Sequence, residues 1–334
     1  DVELGHSLDD FILKSFDNDA LRKKYEELEF YALLKQLVDT SDYLQNDEVD
    51  KKYITIKSLK ALEKLMKDLE QCDLLSIDLE TTSVDPMLAE IVGVSLSYKP
   101  DTGFYIPILY PEKKKNNFGD NDLNIALSLL KENLENSKMR KVGQNIKYDS
   151  LIFSRYGINI NGIYFDTMIA AHILNPSARS YKLDALSLEY LNYTMIPIEN
   201  LIGKGKDQIT MDHVPLENVS YYACEDADIA LQLAKLFIPR LKENNQMDFF
   251  QKIEMPLIDV LMQMEKEGVY VEQNILNEMS KNIGNRLNKL VEAIYKISGS
   301  EFNINSTQQL AVILFDELKL NQIKKRSTAE NILK

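Results

Sequence analysis

The sequence predicts an α/β protein in which helices flank a mixed sheet and an all-helical segment follows. Three strand-like stretches, "DLLSIDL", "EIVGVSLSY" and "GFYIPI", succeed one another with short links, which is typical of an antiparallel meander. Strand and helix patterns then alternate to about residue 175, which favours parallel strands joined by helices. After about residue 253 nearly every pattern is helical. We therefore expect a sheet domain before a helical one.

The composition is that of an ordinary folded protein with no membrane span. Of 334 residues, 45% are hydrophobic and 27% are charged, which is enough apolar material for two or three cores. No stretch approaches the roughly 18 uninterrupted apolar residues that cross a bilayer, and no basic-then-apolar leader opens the chain. We expect a cytoplasmic monomer with no membrane partner.

The cysteines and histidines argue against a zinc site or a disulfide framework. Cys72 and Cys224 lie far apart without CxxC spacing, and His6, His172 and His213 form no ligand pattern with them. The net charge of -13 argues weakly against a nucleic-acid binder, because phosphate contacts favour a basic surface. Local basic clusters in "RKVGQNIK" and "GKGK" can override the total, although such clusters are commonly solvated surface.

The helices and strands of the expected sheet domain are marked by spacing and by turn residues. Residues 1–37 read as helices, and the polar stretch "VDTSDYLQNDEVDKK" reads as a linker that ends near residue 50. Further patterns predict five helices and two strands. The helices are "SLKALEKLMKDLE", residues about 122–134, a helix that begins near Ile146, "DTMIAAHIL", and residues 217–243 with a kink near Pro239. The strands are "RKVG" and "GIYF".

The helical tail has its own start and stop signals. Its first helix stops at Gly268 and its second at Gly299, since glycine favours the conformation that ends a helix. The stretch "NINSTQQLAVILFDEL" then opens with an Asn/Ser/Thr capping signal.

Two acids at the end of the first buried strand raise a question of stability. Asp78 and Glu80 stand two residues apart, so they project from one face while Ile77 and Leu79 face the other. Two neighbouring carboxylates on a buried strand need a cation. For an isolated pair of this kind, solvent-facing acids at a strand end are the commoner explanation.

Two helices carry further acids with similar ambiguity. Asp149 in "VGQNIKYDSL" comes early in a helix, where the helix dipole favours an acid and simple capping explains it. In "YYACEDAD", Tyr222 and Asp226 are four residues apart and therefore share one helical face. The alternative is a partly buried tyrosine beside solvated acids, and we interpret Glu225 and Asp228 in that way.

Together these residues resemble a known catalytic pattern. An order of DxE, D, and D with Tyr four before it, within about 150 residues, is similar to the 3'-5' exonuclease domain of bacterial family A DNA polymerases, in the DEDDy class of the ribonuclease H-like superfamily. The resemblance extends through segments in family order: "KVGQNIKYD", "GIYFDTMIAAHILNP", "LIGKGKDQIT" and "YYACEDADIALQL".

The resemblance covers the whole chain and implies three regions. Residues 1–50, with "YEELEFYALL", resemble the helical end of a preceding 5'-nuclease region plus a linker. Residues 51–250 resemble the exonuclease domain, and 251–334, with "IEMPLIDVLMQMEKEGVYV", resemble the start of the polymerase thumb. The palm and fingers, which carry the polymerising acids of the family, are absent from these residues.

The resemblance also implies a cofactor and residue roles. Two divalent metal ions, Mg2+ with Mn2+ as substitute, would activate water and stabilise the leaving 3' oxygen. Asp78, Glu80 and Asp226 would coordinate them, with Asp78 bridging, and Asp149 would support the second ion through water. Tyr222 would orient the attacking water rather than act as a base, because an unperturbed tyrosine has a pKa near 10.

The expected substrate is single-stranded DNA or a frayed primer 3' end, and the expected partners are the remaining polymerase domains of the parent chain. The candidate substrate-binding residues, besides Tyr222, are Thr81, Asn145, Lys147, Lys204 and Lys206.

Two alternatives stay open. One is a catalytically silent nucleic-acid-binding scaffold, although all four carboxylates and the tyrosine are retained. The other is a ribonuclease D-like RNA 3' exonuclease, against which the thumb-like residues 254–320 and the nuclease-like amino-terminal segment argue.

Overall fold

The computed structural model describes residues 51–110, 115–116, 119–322 and 325–333, together with residues 20, 21, 24, 25, 28 and 30. The expected helices of residues 1–37 and the linker to residue 50 therefore lie almost wholly outside the described residues. The chain divides into two compact units, Asp1–Glu267 and Gly268–Lys334, which are described separately. The domain limits expected at residues 50 and 250 stay predictions.

The first unit is built on a mixed sheet. Its described strands are β1 (Lys52–Thr55), β2 (Leu74–Thr81), β3 (Ile91–Ser97), β4 (Thr102–Pro107), β7 (Arg140–Gly143) and β8 (Ile163–Asp166), in the order β1-β4-β3-β2-β7-β8. β2, β3 and β4 are antiparallel neighbours, whereas β2, β7 and β8 run parallel, and β1 runs parallel to β4. Two short strands, β5 (Leu109–Tyr110) and β6 (Lys115–Asn116), pair separately.

Helices join and cover these strands. They are α1 (Leu59–Leu69), α2 (Gly119–Leu134), α3 (Ile146–Arg155), α4 (Thr167–Leu174), α5 (Leu183–Leu191), α6 (Glu199–Ile202), α7 (Leu216–Glu243), α8 (Met247–Phe249) and α9 (Met255–Glu267). Single 3-10 turns at Gly205–Asp207 and Met211–His213, and a π turn at Phe250–Glu254, complete the described part of this unit.

The two faces of the sheet bury different layers. α1 begins at Ser58, whose hydroxyl accepts the Ala61 amide at 3.3 Å, and it buries an apolar stripe at helical spacing. That stripe packs with Ile77 and Leu79 of β2 in one core, while Tyr105 of β4 packs with α7 in another. Asp78 and Glu80, which alternate with Ile77 and Leu79, therefore point towards the layer of α7.

A glycine allows α7 to lie directly on the sheet. A Cβ atom at Gly103 of β4 would come within 2.5 Å of the Cβ of Cys224, closer than real Cβ contacts allow. Because Gly103 has no side chain, the α7 backbone can approach β4 at Cys224, two residues before Asp226. The glycine thus sets how close the acids of α7 come to those of β2.

The predicted fold class is confirmed in detail. The meander, the parallel strands and the long helix with Pro239 inside it occur where the patterns place them. Among the described strands, the patterns miss β1 and the two-residue strands β5 and β6. β1 is a four-residue edge strand with alternate residues exposed, and β5 and β6 are too short to show a period. Among the described residues, every helix is too short or too polar to cross a bilayer.

The second unit is helical, as predicted. It contains α10 (Gln273–Ser298), α11 (Thr307–Ala311), a π turn (Val312–Glu317) and α12 (Glu330–Leu333). α10 ends at Gly299, whose φ of 75° lies in the left-handed region that glycine adopts without strain. α11 begins at Ser306, which accepts the Gln309 amide at 3.3 Å. The guanidinium of Arg326 donates to both carboxylate oxygens of Asp316 at 2.7 and 2.6 Å.

Candidate active site

Three of the four predicted acids converge on one point. Asp78 and Glu80 reach it from β2, and Asp226 reaches it from α7. One carboxylate oxygen of each lies within 4.8 Å of the others. Glu80 is buried, and Asp78 and Asp226 are partly exposed, so the cluster is accessible from solvent.

Asp149 is buried close to this cluster without belonging to the set of three. It lies in the first turn of α3, is 3% exposed, and raises the pKa of Glu80 through its charge. The structure thus brings all four acids into one neighbourhood, with three in mutual contact range. Asp149 does not join the set whose oxygens all lie within 4.8 Å of one another, and its supporting role stays a prediction.

The electrostatics of the cluster are those of acids without a counter-ion. Burial raises the pKa of Asp78 to about 6, although a hydrogen bond from the Ser95 hydroxyl opposes the shift. Burial first, and then repulsion by neighbouring acids, raise the pKa values of Glu80, Asp149 and Asp226 well above the usual range. No lysine or arginine of the described chain is among the groups that dominate these shifts. The ionised cluster therefore needs a bound cation.

Tyr222 lies beside Asp226 on the same face of α7. Burial, followed by the charges of Asp226, Glu80 and Asp78, raises the pKa of its hydroxyl far above the usual range. The phenol therefore keeps its proton at neutral pH, which excludes a free tyrosinate base. It can only offer its O–H as a donor or its oxygen as an acceptor.

Thr81 lies one residue beyond Glu80, at the end of β2, where the pairing register with β3 shifts. Its hydroxyl lies 2.7 Å from the hydroxyl of Tyr148, which also donates to the Ser83 carbonyl. Nothing in the spacing of the sequence singles out Tyr148, and its place directly before Asp149 is the one signal for it. The ring is half-buried beside the acids, whose charges raise its pKa after burial does.

The remaining predicted substrate contacts are placed unevenly. Asn145 is half-buried at the start of α3, where its φ of 59° is left-handed. Lys147 forms an ion pair with Glu265 of α9. Lys204 and Lys206 are exposed around the turn at Gly205–Asp207, and no contact of the described residues joins them to the acids.

The interpretation of Glu225 and Asp228 as solvated acids is wrong. They are 1% and 0% exposed on a side of α7 that the sequence pattern assigns to solvent. Glu225 accepts the Tyr193 hydroxyl at 2.6 Å and the Ile196 amide at 2.8 Å. Asp228 has three donors of its own, from Tyr53 (2.9 Å), the Asp101 amide (2.9 Å) and Gln232 (3.0 Å).

Comparison of the sequence with models of known protein families indicates which family shares this acid cluster. The profile of the 3'-5' exonuclease family matches residues 53–242, which is more than half of the chain and includes all four acids and Tyr222. That of DNA polymerase family A matches residues 273–334. The chain belongs to the family A DNA polymerases.

Individual relatives within family A agree with this assignment. DNA polymerase I of Pseudomonas aeruginosa is 32% identical over 99% of this chain and 37% of its own length. The enzymes of Borreliella burgdorferi and Rhizobium leguminosarum are 33% and 34% identical, over 96% and 83% of this chain and 35% and 29% of their own lengths. The chain thus spans about a third of these family A polymerases.

Solved structures support the fold. The POL domain of Pol1 from M. smegmatis, in complex with DNA primer-template and dNTP, aligns with a TM-score of 0.60 at 19% identity. That alignment covers 81% of this chain and 42% of the mycobacterial one. A nuclease in its apo form aligns over 66% of this chain and 95% of its own, with a TM-score of 0.50 at 14% identity. The sheet unit of this family A chain thus has the fold of a nuclease.

The donor set of the cluster fits divalent metal ions. Carboxylate oxygens are the hard ligands that Mg2+ and Mn2+ prefer, and the three carboxylates are close enough together to share an ion. Cysteine and histidine, which softer ions prefer, do not take part in the cluster. The exonuclease domain of this family A chain therefore carries an acidic cluster compatible with divalent metal binding.

Proposed function

We propose that the chain is a 3'-5' exonuclease that removes nucleotides from the 3' end of single-stranded DNA or of a frayed primer. The observation that carries the proposal is the convergence of Asp78, Glu80 and Asp226 on one partly exposed point, where no lysine or arginine of the described residues is among the main influences on their pKa values. Membership of the exonuclease family over residues 53–242 supports the reaction class.

The proposed cofactor is a pair of Mg2+ ions, for which Mn2+ can substitute. When bound, such ions activate the attacking water and stabilise charge on the leaving 3' oxygen. Asp78, Glu80 and Asp226 would hold them, with Asp78 shared between both and Asp149 contributing through water. The closeness of the three carboxylates and the burial of Asp149 beside them support this division.

The other residues of the site would position the reactants. Tyr222 keeps its proton, so its hydroxyl can hold the attacking water in line while another group takes the proton. Thr81 and Tyr148, whose hydroxyls contact each other, would line the place of the terminal nucleotide together with Asn145. This arrangement would fix the scissile phosphate with respect to the acids.

Exposed apolar side chains next to the site would contact the bases. Val84, directly after Ser83 whose carbonyl binds Tyr148, is 94% exposed, and Leu88 is 71% exposed. Aliphatic side chains such as these can pack against the face of an unpaired base, whereas stacking on an aromatic ring is stronger, at roughly 1 to 3 kcal/mol per base. Because Lys147 is paired with Glu265, the exposed Lys204 and Lys206 are the better candidates for phosphate contacts.

We also propose the wider arrangement that the sequence predicts. Residues 1–50 would be the end of a 5'-nuclease region with its linker, 51–250 the exonuclease domain and 251–334 the start of the polymerase thumb. The two matched ranges, 53–242 and 273–334, support the second and third limits. The partners would then be the remaining polymerase domains of the parent chain.

Digestion of a 5'-labelled single-stranded DNA oligonucleotide tests the activity. With Mg2+ we expect a ladder that shortens from the 3' end and releases 5'-mononucleotides, and with EDTA we expect none. Binding of the oligonucleotide without any cleavage in Mg2+ or Mn2+ would instead favour the scaffold alternative.

An RNA oligonucleotide of the same sequence tests the other alternative. A ribonuclease D-like enzyme would degrade the RNA faster than the DNA, whereas we expect the DNA to be degraded at least as fast. Binding of the single strand should weaken as salt rises, because phosphate contacts release counterions.

A further inference from the structure

Asp166 joins the beginnings of two helices on one buried carboxylate. It is the last residue of β8 and is 1% exposed. One oxygen accepts the amide of Ile146, in the first turn of α3, at 2.8 Å. The other accepts the amides of Met168 and Ile169, in the first turn of α4, at 2.9 and 3.1 Å. A single side chain therefore satisfies unpaired amides of two helices.

The turn before α3 depends on this carboxylate. Asn145, in the capping position of α3, has a left-handed backbone, which asparagine adopts more readily than most residues with a Cβ atom, but its own side chain makes no capping hydrogen bond that would hold it there. The Asp166 carboxylate also interacts with the backbone amide of Asn145. The neighbouring Thr167 hydroxyl binds the Gly143 carbonyl at 3.1 Å and the side chain of Gln144. Asp166 and Thr167 together hold residues 143–146.

Two side chains of the candidate active site depend on this turn for their positions. Asn145 lies within it, and Asp149 lies one helical turn further along α3. A rotation or shift of the α3 start would move the Asp149 carboxylate with respect to the acids of β2 and α7. Other described contacts on α3, such as the burial of Ile152 in the core, fix the helix without touching the turn.

We propose that Asp166 is a positioning residue, which holds Asn145 and the first turn of α3 so that the Asp149 carboxylate reaches the cluster of Asp78, Glu80 and Asp226. The proposal rests on the proposed exonuclease function. Aspartate is the residue type that the geometry requires, because both of its oxygens accept and they face different helices. The amide of asparagine would turn its NH2 group towards one of the two sets of N–H donors.

Two substitutions separate positioning from capping. Asp166→Ser keeps a good cap for α4, because the serine hydroxyl can accept its first-turn amides, but it is too short to satisfy α3. Asp166→Asn keeps the size of the side chain and one acceptor oxygen. Ile152→Val, a buried change on the same helix, is the matched control for loss of stability. All are assayed at a temperature where thermal unfolding shows each variant to be folded.

Three readouts are measured on the full chain. For both Asp166 variants we expect a fall in kcat of about a hundredfold on single-stranded DNA, as is usual for a misplacement near 1 Å. We expect the weaker bound Mn2+ ion, titrated by electron paramagnetic resonance without DNA, to bind about tenfold more weakly. We expect amide exchange at Ile146 to accelerate at least tenfold, while Ile152→Val stays within about threefold of the original chain in all three.

The outcomes distinguish this inference from the proposed function. If the original chain degrades DNA and both variants lose no more kcat than Ile152→Val, the positioning role is overturned. If the original chain is inactive, the proposed function fails, and Mn2+ affinity and Ile146 exchange still decide the positioning role. If Mn2+ affinity and Ile146 exchange in the Asp166 variants are the same as in the original chain, the positioning role is overturned. Weaker Mn2+ binding together with faster exchange in these variants would support it.

Discussion

Helix α7 carries two groups of acids that differ in what surrounds them. Asp226 points towards Asp78 and Glu80, where the dominant influences on its pKa are burial and other negative charges. Glu225 and Asp228, on another side of the same helix, together accept five hydrogen bonds at 2.6 to 3.0 Å. Both groups are acidic and both are largely removed from water, but their hydrogen bonding differs. In the group of Asp226, Ser95 donates to Asp78 and Tyr222 donates to Asp226, whereas Glu225 and Asp228 are satisfied by donors on every side.

A lysine also lies close enough to the satisfied group to feel its charge, although its amine makes no hydrogen bond within the described residues. The Lys51 amine lies 3.7 Å from the centre of the Tyr193 ring, and the charges of Glu225 and Asp228 oppose the lowering of its pKa by burial. This is the arrangement expected of structural acids, since buried charges are tolerated when paired and hydrogen-bonded. The contrast teaches that burial alone does not mark a candidate functional acid, whereas burial among other acids, with no lysine or arginine of the described residues opposing the shift in pKa, does.

Removal of the shared acid should have the largest effect. Asp78→Ala deletes the proposed bridging ligand, so we expect exonuclease activity to fall about a thousandfold or more, equivalent to about 4 kcal/mol of transition-state stabilisation. Digestion of labelled single-stranded DNA in Mg2+ measures it. Thermal unfolding of the metal-free variant is the control and should show no loss of stability. Full activity in this variant would place the active site elsewhere.

Removal of an acid from the satisfied group should act on stability. Asp228→Ala leaves the Tyr53 hydroxyl and the Asp101 amide without their hydrogen-bond acceptor. We therefore expect it to lower the free energy of unfolding by about 3 kcal/mol. Chemical denaturation measures this. Asp226→Asn is the matched control on the same helix and should raise the stability of the metal-free chain, because it removes repulsion. If both changes lowered the free energy of unfolding equally, the two groups of acids would not differ in how well the protein satisfies them.

Loss of the tyrosine hydroxyl should have an intermediate effect on catalysis. Tyr222→Phe keeps the ring but loses the proposed hydrogen bond to the attacking water, so we expect a fall in kcat of about thirtyfold, or about 2 kcal/mol. Mn2+ affinity should stay within about threefold of the original value. A loss as large as in Asp78→Ala would mean that Tyr222 does more than orient water.

The smallest expected effect is a pH dependence of the metal-free protein. Asp78 has a folded-state pKa raised from 3.8 to about 6, so the folded chain binds more protons than the unfolded chain between these values. Its contribution to stability is therefore complete below about pH 4 and is lost as pH rises through about 6. Against Asp78→Asn, we expect the original chain to lose about 1 kcal/mol over this range, after allowance for solvent screening.

Unfolding curves in EDTA at several pH values measure that difference. Addition of Mg2+ at pH 7 should restore the stability of the original chain and leave Asp78→Asn less affected, because binding to the folded state alone stabilises it. A difference between the two proteins that stayed constant with pH would show that Asp78 is not the titrating group.

The sequence could predict the acids but not their surroundings. Periodicity places Asp78 and Glu80 on one face of a strand, and Tyr222 and Asp226 on one face of a helix, because these depend on local geometry. The family resemblance, not the periodicity, predicts that the two pairs meet. The burial of Glu225 and Asp228 depends on residues distant in the sequence, such as Tyr53, that reach α7 only through the sheet order. The contacts of Asp166 to two helices could not be predicted for the same reason. An acid just before a helix indicates that it caps that helix, and nothing in the sequence near Asp166 indicates that it also caps α3.

The close contact between Gly103 and α7 buries one of the two cysteine thiols much more deeply than the other. Cys224 is fully buried against β4, and burial raises its thiol pKa to about 12, so it should resist alkylation while the chain is folded. Cys72 is only half-buried, just before β2, whose seven residues from Leu74 to Glu80 span roughly 20 Å. Burial raises the pKa of the Cys72 thiol as well, yet Cys72 is the more accessible of the two, so it is the position where a fluorophore could be attached without mutating either cysteine.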